Sequence, residues 1–180
     1  YCIFCFILFY QKNLFINNFN ISIKIKKPSL KAFTFFLPAN LFDSKDGTRL
    51  HSWFLPAQKY EGKKGLVVLF HGNAQNLSSH YLSVSWMVQY GYDVWVWDYR
   101  GYGLSQGEAS SKGVAEDAKA ALSFMESLYK RKSYEKLIVV GQSLGGNILV
   151  KALSDYPKQN EIDALVLDST FLSYTKVAKN

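Results

Sequence analysis

The 180-residue sequence predicts an α/β fold, a mostly parallel sheet with helices on both faces. Short apolar runs rich in β-branched residues, typical of strands buried on both faces, alternate with longer segments whose apolar residues recur at helical spacing. This alternation indicates right-handed βαβ units and hence parallel strands. Stretches rich in glycine and polar residues follow three of the strands, which is where open α/β sheets bind ligands.

The first elements are two extended, aromatic-rich runs between residues 31 and 57. A turn signal at Asp46-Gly47 separates them, which predicts antiparallel strands at an edge of the sheet. The apolar run Gly65 to Phe70 predicts a buried strand. Leu77 to Tyr90 then predicts a helix, which Gly91 closes.

The same alternation continues in the second half of the chain. Asp93 to Asp98 predicts a strand, and Ser110 or Ser111 is the N-cap candidate of the helix that follows it. Five apolar residues at helical spacing mark the inner face of that helix: Val114, Ala118, Leu122, Met125 and Leu128. Leu137 to Val140 predicts another strand, with a helix directly after it, and Ile162 to Leu167 predicts the last strand.

Residues 1–30 differ in composition from the rest and are interpreted as an apolar and basic leader or the remnant of an anchor. The run of ten apolar residues at its start is too short to span a bilayer, which needs about 20, but suits a signal-peptide core or part of an anchor. We therefore expect membrane association through residues 1–16, or export; a poorly ordered leader on a cytoplasmic protein is the alternative. Both cysteines, Cys2 and Cys5, lie here without a second Cys or His pair nearby, which argues against a metal or redox site.

Charge and composition exclude several classes of function. The net charge is +7, but no cluster of Lys and Arg interleaved with aromatics is present, so nucleic-acid binding is not expected. A hydrophobic content of 48% suits a single globular domain over residues 31–180. The sequence contains no cluster of metal-ligating residues, and we expect no metal and no cofactor.

The segment from Gly141 to Gly145 matches G-x-S-x-G between a predicted strand and a predicted helix. Leu144, Ile148 and Ala152 recur at fourfold spacing, as on one face of that helix. The sharp turn would expose the Ser143 hydroxyl at a helix N-terminus, where backbone N–H groups stabilise an anion. A glycine-rich packing turn with an idle serine is the alternative.

His71-Gly72-Asn73 follows the earlier strand and is the candidate for the other half of an oxyanion hole. Acyl transfer needs two N–H donors aimed at the oxygen that becomes negative. We assign these donors to the backbones of Asn73 and Leu144. We expect His71 to hydrogen-bond this loop; a role as catalytic base is the alternative.

The glycines at Gly101 and Gly103 raise the possibility of a dinucleotide fingerprint, G-x-G-x-x-G. That motif requires glycine at position 106, which is Gln106 here. Tyr99 and Arg100 also crowd the approach that a pyrophosphate needs. The sequence therefore argues against an oxidoreductase of this type.

Three motifs, FHGNAQN, DYRGYGLSQG and GQSLGG, together resemble the α/β-hydrolase superfamily, in particular the BEM46-like and ABHD-type serine hydrolases grouped with serine aminopeptidase-like enzymes. The resemblance covers about Lys31 to Tyr174. It implies that Ser143 is the nucleophile, that Asn73 and Leu144 provide the oxyanion N–H groups, and that residues 98–107 form a structural loop beside the site.

In this superfamily the catalytic acid and then the histidine follow the serine in the chain. No histidine follows Ser143. In this subfamily the acid more often follows the next strand, and Asp168 is the alternative acid. We therefore expect a fragment of a longer hydrolase, truncated before the last strands and nearly inactive by itself. The expected function is hydrolysis of ester, thioester or amide bonds in a small-molecule or acylated substrate; the alternative is a non-catalytic binding protein of the same fold.

Overall fold

The computed structural model describes residues 39–58 and 64–170, and its strands form one mixed sheet. The strands are β1 (Ala39–Asp43), β2 (Arg49–Leu55), β3 (Gly65–Phe70), β4 (Tyr92–Trp97), β5 (Lys136–Gln142) and β6 (Ala164–Asp168). Their spatial order is β1-β2-β4-β3-β5-β6. β2 pairs antiparallel with β1 and β4, and the remaining neighbours are parallel. The predicted parallel sheet with an antiparallel N-terminal pair is confirmed.

Helices flank the sheet on both faces, as predicted. The α-helices are α1 (Leu77–His80), α2 (Ser111–Lys132) and α3 (Leu144–Ser154). Short 3-10 helices cover Tyr81–Ser83, Ser85–Tyr90 and Gln159–Glu161. Ser110 is the N-cap of α2, since its hydroxyl accepts from the backbone N–H of Gly113 at 3.1 Å.

The prediction of one continuous helix from Leu77 to Tyr90 is wrong in detail, because the segment is α1 followed by two 3-10 turns. Its serines hydrogen-bond nearby backbone: the Ser79 hydroxyl donates to the carbonyl of Asn76, and that of Ser83 to the carbonyl of His80. Such local bonds compete with the regular α-helical ladder.

Side-chain alternation in the central strands builds a core on each face of the sheet. In β3, Leu66, Val68 and Phe70 pack into the core under α2 and α3. Val67 and Leu69 face the opposite core, under the 3-10 turns. The predicted full burial of this strand is confirmed, because every residue of β3 is buried.

The residues that recur at fourfold spacing in α3 are buried to different degrees. Leu149, Ala152 and Leu153 are buried, whereas Leu144 and Ile148 are half-buried. Leu144 and Ile148 instead line a cavity of about 720 Å³ between α2 and α3. The spacing predicted the helix correctly.

Within residues 39–58 and 64–170, none of the helices combines the length and the apolar character needed to cross a membrane. The leader, Cys2 and Cys5 lie outside the described residues, so membrane association through residues 1–16 stays a prediction.

Candidate active site

Ser143 lies on the tight turn between β5 and α3, in a conformation that only a constrained backbone maintains. Its φ is 49° and its ψ is −117°, and positive φ is uncommon for a residue with a side chain. The backbone N–H of Ser143 donates to the carbonyl of Asp168, at the end of the adjacent strand, at 2.7 Å. Ser143 is half-buried, so the turn leaves part of the residue accessible.

Close backbone packing places the start of α3 against the end of β3. A Cβ atom at Gly145 would lie 2.1 Å from the carbonyl oxygen of Phe70 and 2.3 Å from that of His71. Only glycine permits this approach. The packing therefore positions Leu144 beside the loop that begins at His71.

The part of that loop after His71, residues 72–76, is named the oxyanion loop here for its predicted role. Asn73 is exposed, and its side-chain oxygen accepts a hydrogen bond from the Tyr102 hydroxyl at 2.8 Å. A Cβ atom at Gly72 would lie 3.5 Å from the Cβ of Ser143, so the loop and the serine turn are in contact. Ser143, Leu144 and Asn73 thus lie at the same edge of the sheet, and their catalytic roles stay predictions.

Beneath the oxyanion loop lies the Asp98 cluster, which consists of His51, His71 and Asp98, all at least 96% buried. His71 Nδ1 lies 2.8 Å from the carbonyl oxygen of Gly72, and His71 Nε2 lies 3.2 Å from Asp98 Oδ1. The same Asp98 oxygen accepts from the backbone N–H of Leu77 at 2.7 Å. His71 therefore contacts the loop, as expected, and its ring nitrogens face the loop carbonyl and Asp98.

Several atoms of the Asp98 cluster lack an aligned hydrogen bond. These atoms are Nδ1 and Nε2 of His51, Nε2 of His71 and Oδ2 of Asp98. His51 Nδ1 lies 3.6 Å from Asp98 Oδ2, and the shorter contact of His71 with Asp98 is close in distance but unfavourable in direction. The three side chains of the cluster are therefore in close polar contact, but few well-aligned hydrogen bonds link them.

Tyr99 connects the Asp98 cluster to the core. Its hydroxyl donates to the carbonyl of His71 at 3.1 Å. Burial raises the pKa of Tyr99 well above its usual range, and Tyr102 and Asp98 raise it further. The phenol therefore stays protonated and remains a hydrogen-bond donor.

The predicted structural loop at residues 98–107 is fixed by a second group, the Arg100 cluster, which consists of Ser44, Asp46, Arg100 and Asp117. Arg100 donates to the buried carboxylate of Asp117 from its backbone N–H, Nε and Nη2. Its Nη1 donates to Asp46 at 2.8 Å and its Nη2 to the Ser44 hydroxyl at 3.3 Å. These bonds join the loop to α2 and to the turn between β1 and β2.

Asp168, the candidate acid, lies at the end of β6 beside the serine turn. The Gln142 side-chain nitrogen is 3.4 Å from Asp168 Oδ2, and the Ser169 hydroxyl donates to Oδ1 at 2.9 Å. On its other side Gln142 contacts His80, with 2.7 Å between Gln142 Oε1 and His80 Nδ1. The role of Asp168 as acid stays a prediction.

Sequence reasoning missed the structural positions of Asp98, His80 and Gln142. Asp98 lies directly after β4, a few residues before Gly101 and Gly103. Its position beside these glycines is the one sequence signal that indicates a role near the site. Nothing in the local sequence indicates that His80, on a segment predicted as helical, returns to Gln142. Among the described residues, no group of three or more His, Cys, Asp or Glu is arranged to hold a metal ion.

Comparison with known proteins gives a consistent assignment. The family model described as "Serine aminopeptidase, S33" matches residues 61–179. YfhR of Salmonella typhimurium is 39% identical over 147 residues, which cover 76% of this chain and 50% of YfhR. The bem46 protein of Schizosaccharomyces pombe is 28% identical over 171 residues, or 93% of this chain and 56% of bem46.

A structural comparison agrees with the sequence comparisons. The esterase Pf2001 of Pyrococcus furiosus superposes with a TM-score of 0.63 at 23% identity, over 79% of this chain and 52% of the esterase. At that identity the likeness shows the fold alone. The chain spans about half the length of the curated relatives it matches.

Proposed function

Because the chain belongs to the serine aminopeptidase S33 family of α/β-hydrolases, we propose that it carries the nucleophile and the oxyanion hole of a serine hydrolase. The main support for this proposal is the geometry of Ser143, which combines a positive φ with contact to the oxyanion loop. Strained backbone of this kind concentrates at functional sites. The proposed reaction is hydrolysis of an ester, thioester or amide bond through an acyl-enzyme on Ser143.

In the proposed reaction, the Ser143 oxygen forms a bond to the substrate carbonyl carbon while a base takes the hydroxyl proton. The carbonyl oxygen becomes negative and is stabilised by the backbone N–H groups of Asn73 and Leu144. The bond to the leaving group then breaks, and the base returns the proton to that group. A water molecule, activated by the same base, releases the acyl group and restores the serine.

The base is proposed to come from sequence outside residues 1–180, and so is the acid unless Asp168 takes that role. All three histidines precede Ser143, against the order that the superfamily uses. The ring nitrogens of His71 face the loop carbonyl and Asp98. The chain alone is therefore expected to be nearly inactive, since a serine hydroxyl without a base is a weak nucleophile.

The cavity between α2 and α3 supports an apolar substrate group. Its lining includes Leu144, whose backbone is a proposed oxyanion donor, together with Val114 and Ile148. A volume of about 720 Å³ lies in the range that small-molecule sites occupy. We therefore propose small-molecule or acylated substrates with an apolar acyl or aryl part.

The test is covalent labelling of the natural gene product with a fluorophosphonate probe. Wild type should be labelled, and peptide mapping should find the adduct on Ser143. The Ser143→Ala variant, checked for folding by circular dichroism, should not react. Equal labelling of both proteins would refute the nucleophile, and a folded but unreactive wild type would favour the non-catalytic binding protein.

A further inference from the structure

The His80 side chain lies between the oxyanion loop and the serine turn and contacts both. His80 Nε2 lies 3.0 Å from the carbonyl oxygen of Ala74, and His80 Nδ1 lies 2.7 Å from Gln142 Oε1. Ala74 directly follows the proposed donor Asn73, and Gln142 directly precedes Ser143. The His80 ring therefore joins the oxyanion loop, next to Asn73, to the serine turn that leads into Leu144, the second proposed donor.

Packing restricts the His80 ring as well. It stacks on His71, with ring centroids 5.1 Å apart and 23° between the planes. A Cβ atom at Gly72 would lie 3.5 Å from His80 Cε1 and equally 3.5 Å from the Cβ of Ser143. The ring thus occupies the space where the loop and the turn meet.

The backbone on both sides of the ring needs such support. Ala74 and Gln75 have φ values of 62° and 58°, and Ser143 has 49°. Residues with side chains keep this conformation only where surrounding contacts hold them. For the exposed part of the loop, the described side-chain contacts are those of Tyr102 with Asn73 and of His80 with Ala74.

The contacts are hydrogen bonds in either protonation state of His80. A carbonyl oxygen only accepts, so the nitrogen facing Ala74 carries a proton. If the ring is an imidazolium, Nδ1 donates to Gln142 Oε1; if it is neutral, Nδ1 accepts from the Gln142 amide after that amide turns over. The turned amide no longer donates to Asp168, so the two forms differ in the link between Gln142 and that carboxylate.

We propose that His80 is a positioning residue that fixes the spacing between the backbone N–H groups of Asn73 and Leu144. It acts through Ala74 and Gln142 and does not touch the substrate. The inference rests on the proposed function and deepens it. Oxyanion donors act only at the correct distance from the developing charge, so a loosened loop should slow the chemical step and leave substrate binding unchanged.

The experiment removes the two hydrogen-bonding contacts of the His80 ring separately. The side-chain nitrogen of asparagine corresponds in position to histidine Nδ1, and that of glutamine to Nε2. His80→Asn therefore retains the contact to Gln142, His80→Gln retains the contact to Ala74, and His80→Ala loses both. Leu82→Ala, on the same segment and 50% exposed, is the matched control.

In the natural gene product, the measurements are kcat and KM for p-nitrophenyl butyrate and the rate constant of fluorophosphonate labelling, at a temperature where each variant is folded. We expect His80→Ala to lower kcat and the labelling rate about 10- to 100-fold with KM within about twofold. His80→Asn and His80→Gln should lie between His80→Ala and wild type, and Leu82→Ala should match wild type. If His80→Ala does not fold, the two conservative variants carry the test.

The outcomes separate the two levels of the hypothesis. Labelling of Ser143 at equal rates in wild type and in the His80 variants would overturn the positioning role alone. A change in KM without a change in kcat would overturn it too, because that would indicate a role in binding. A folded wild type that is not labelled would overturn the proposed function, and the positioning role with it.

Discussion

Two polar clusters, built around Asp98 and Arg100 directly after β4, differ in how completely their hydrogen bonds are formed. In the Arg100 cluster, the guanidinium and the backbone N–H of Arg100 meet Asp117, Asp46 and Ser44 with well-formed bonds. In the Asp98 cluster, both nitrogens of His51 and one carboxylate oxygen of Asp98 have no aligned partner. Arg100 and Asp117 are buried, as are all members of the Asp98 cluster, so burial alone does not explain the difference.

The two clusters also differ in what they contact. The Arg100 cluster joins three distant parts of the chain, and the hydrogen bonds to Asp117 raise the pKa of Arg100 above its usual range, so the charge is permanent. The Asp98 cluster instead lies directly under the oxyanion loop. A fully satisfied network stabilises a fold, whereas a buried polar group without an aligned partner lowers stability.

The largest effect is expected from Asp117→Ala, which leaves the Arg100 guanidinium buried without its main partner. Removing one member of a buried ion pair costs about 3–5 kcal/mol. Urea denaturation should show this loss in the free energy of unfolding. As a control, Asp155→Ala removes an exposed contact to Lys119 of 3.8 Å and should change stability by less than about 0.5 kcal/mol.

A smaller loss of stability is expected from Asp98→Asn, about 1–3 kcal/mol. The amide retains an oxygen for the backbone N–H of Leu77 but loses the charge that faces His51 and His71. Since His71 contacts the oxyanion loop, labelling of Ser143 in the natural gene product should slow by about tenfold. The Asp117 variant should label at the wild-type rate per folded molecule. If the two variants reverse this order in both measurements, the comparison fails.

The smallest effect concerns pH and Asp46, whose side chain is 52% exposed. Hydrogen bonds from Arg100 and Thr48 hold the pKa of Asp46 well below its ordinary value of 3.8. A lowered pKa stabilises the fold above the ordinary value, and this contribution is lost as the pH falls below it. Asp46→Asn should therefore lower the melting temperature slightly at pH 6, and the difference from wild type should shrink towards about pH 2. A constant difference across that range would contradict the assignment.

Most elements of this fold were predictable from local sequence. Short apolar runs predicted the strands. The boundaries of β3 matched the prediction, because a strand that is buried on both faces is apolar throughout and its ends are therefore clear in the sequence. The N-cap of α2 at Ser110 was equally local. The 3-10 turns after α1 were not predicted. They depend on hydrogen bonds from serine hydroxyls, and the spacing of apolar residues gives no information about serine rotamers.

The candidate site divides in the same way. Ser143, Asn73 and Leu144 follow from motifs whose spacing is fixed by a single turn each. The Asp98 cluster and the contact between His80 and Gln142 depend on strand order. The cluster forms only after β4 pairs with β2 and β3, and the contact only after β3 and β5 become neighbours. No local pattern carries that information.

Strand order also has a consequence for synthesis on the ribosome. β2 pairs with β4 and not with β3, the next strand to be synthesised. One edge of the β1–β2 hairpin therefore remains unpaired until β4 has emerged. β3 and β4 then join as a parallel pair across α1 and the 3-10 turns, and β5 and β6 add in order to the free side. Until β4 emerges, the nascent chain exposes an unpaired strand edge, the kind of surface that invites association. The time needed to translate residues 56–97 therefore sets how long the hairpin edge stays open to other chains and to chaperones.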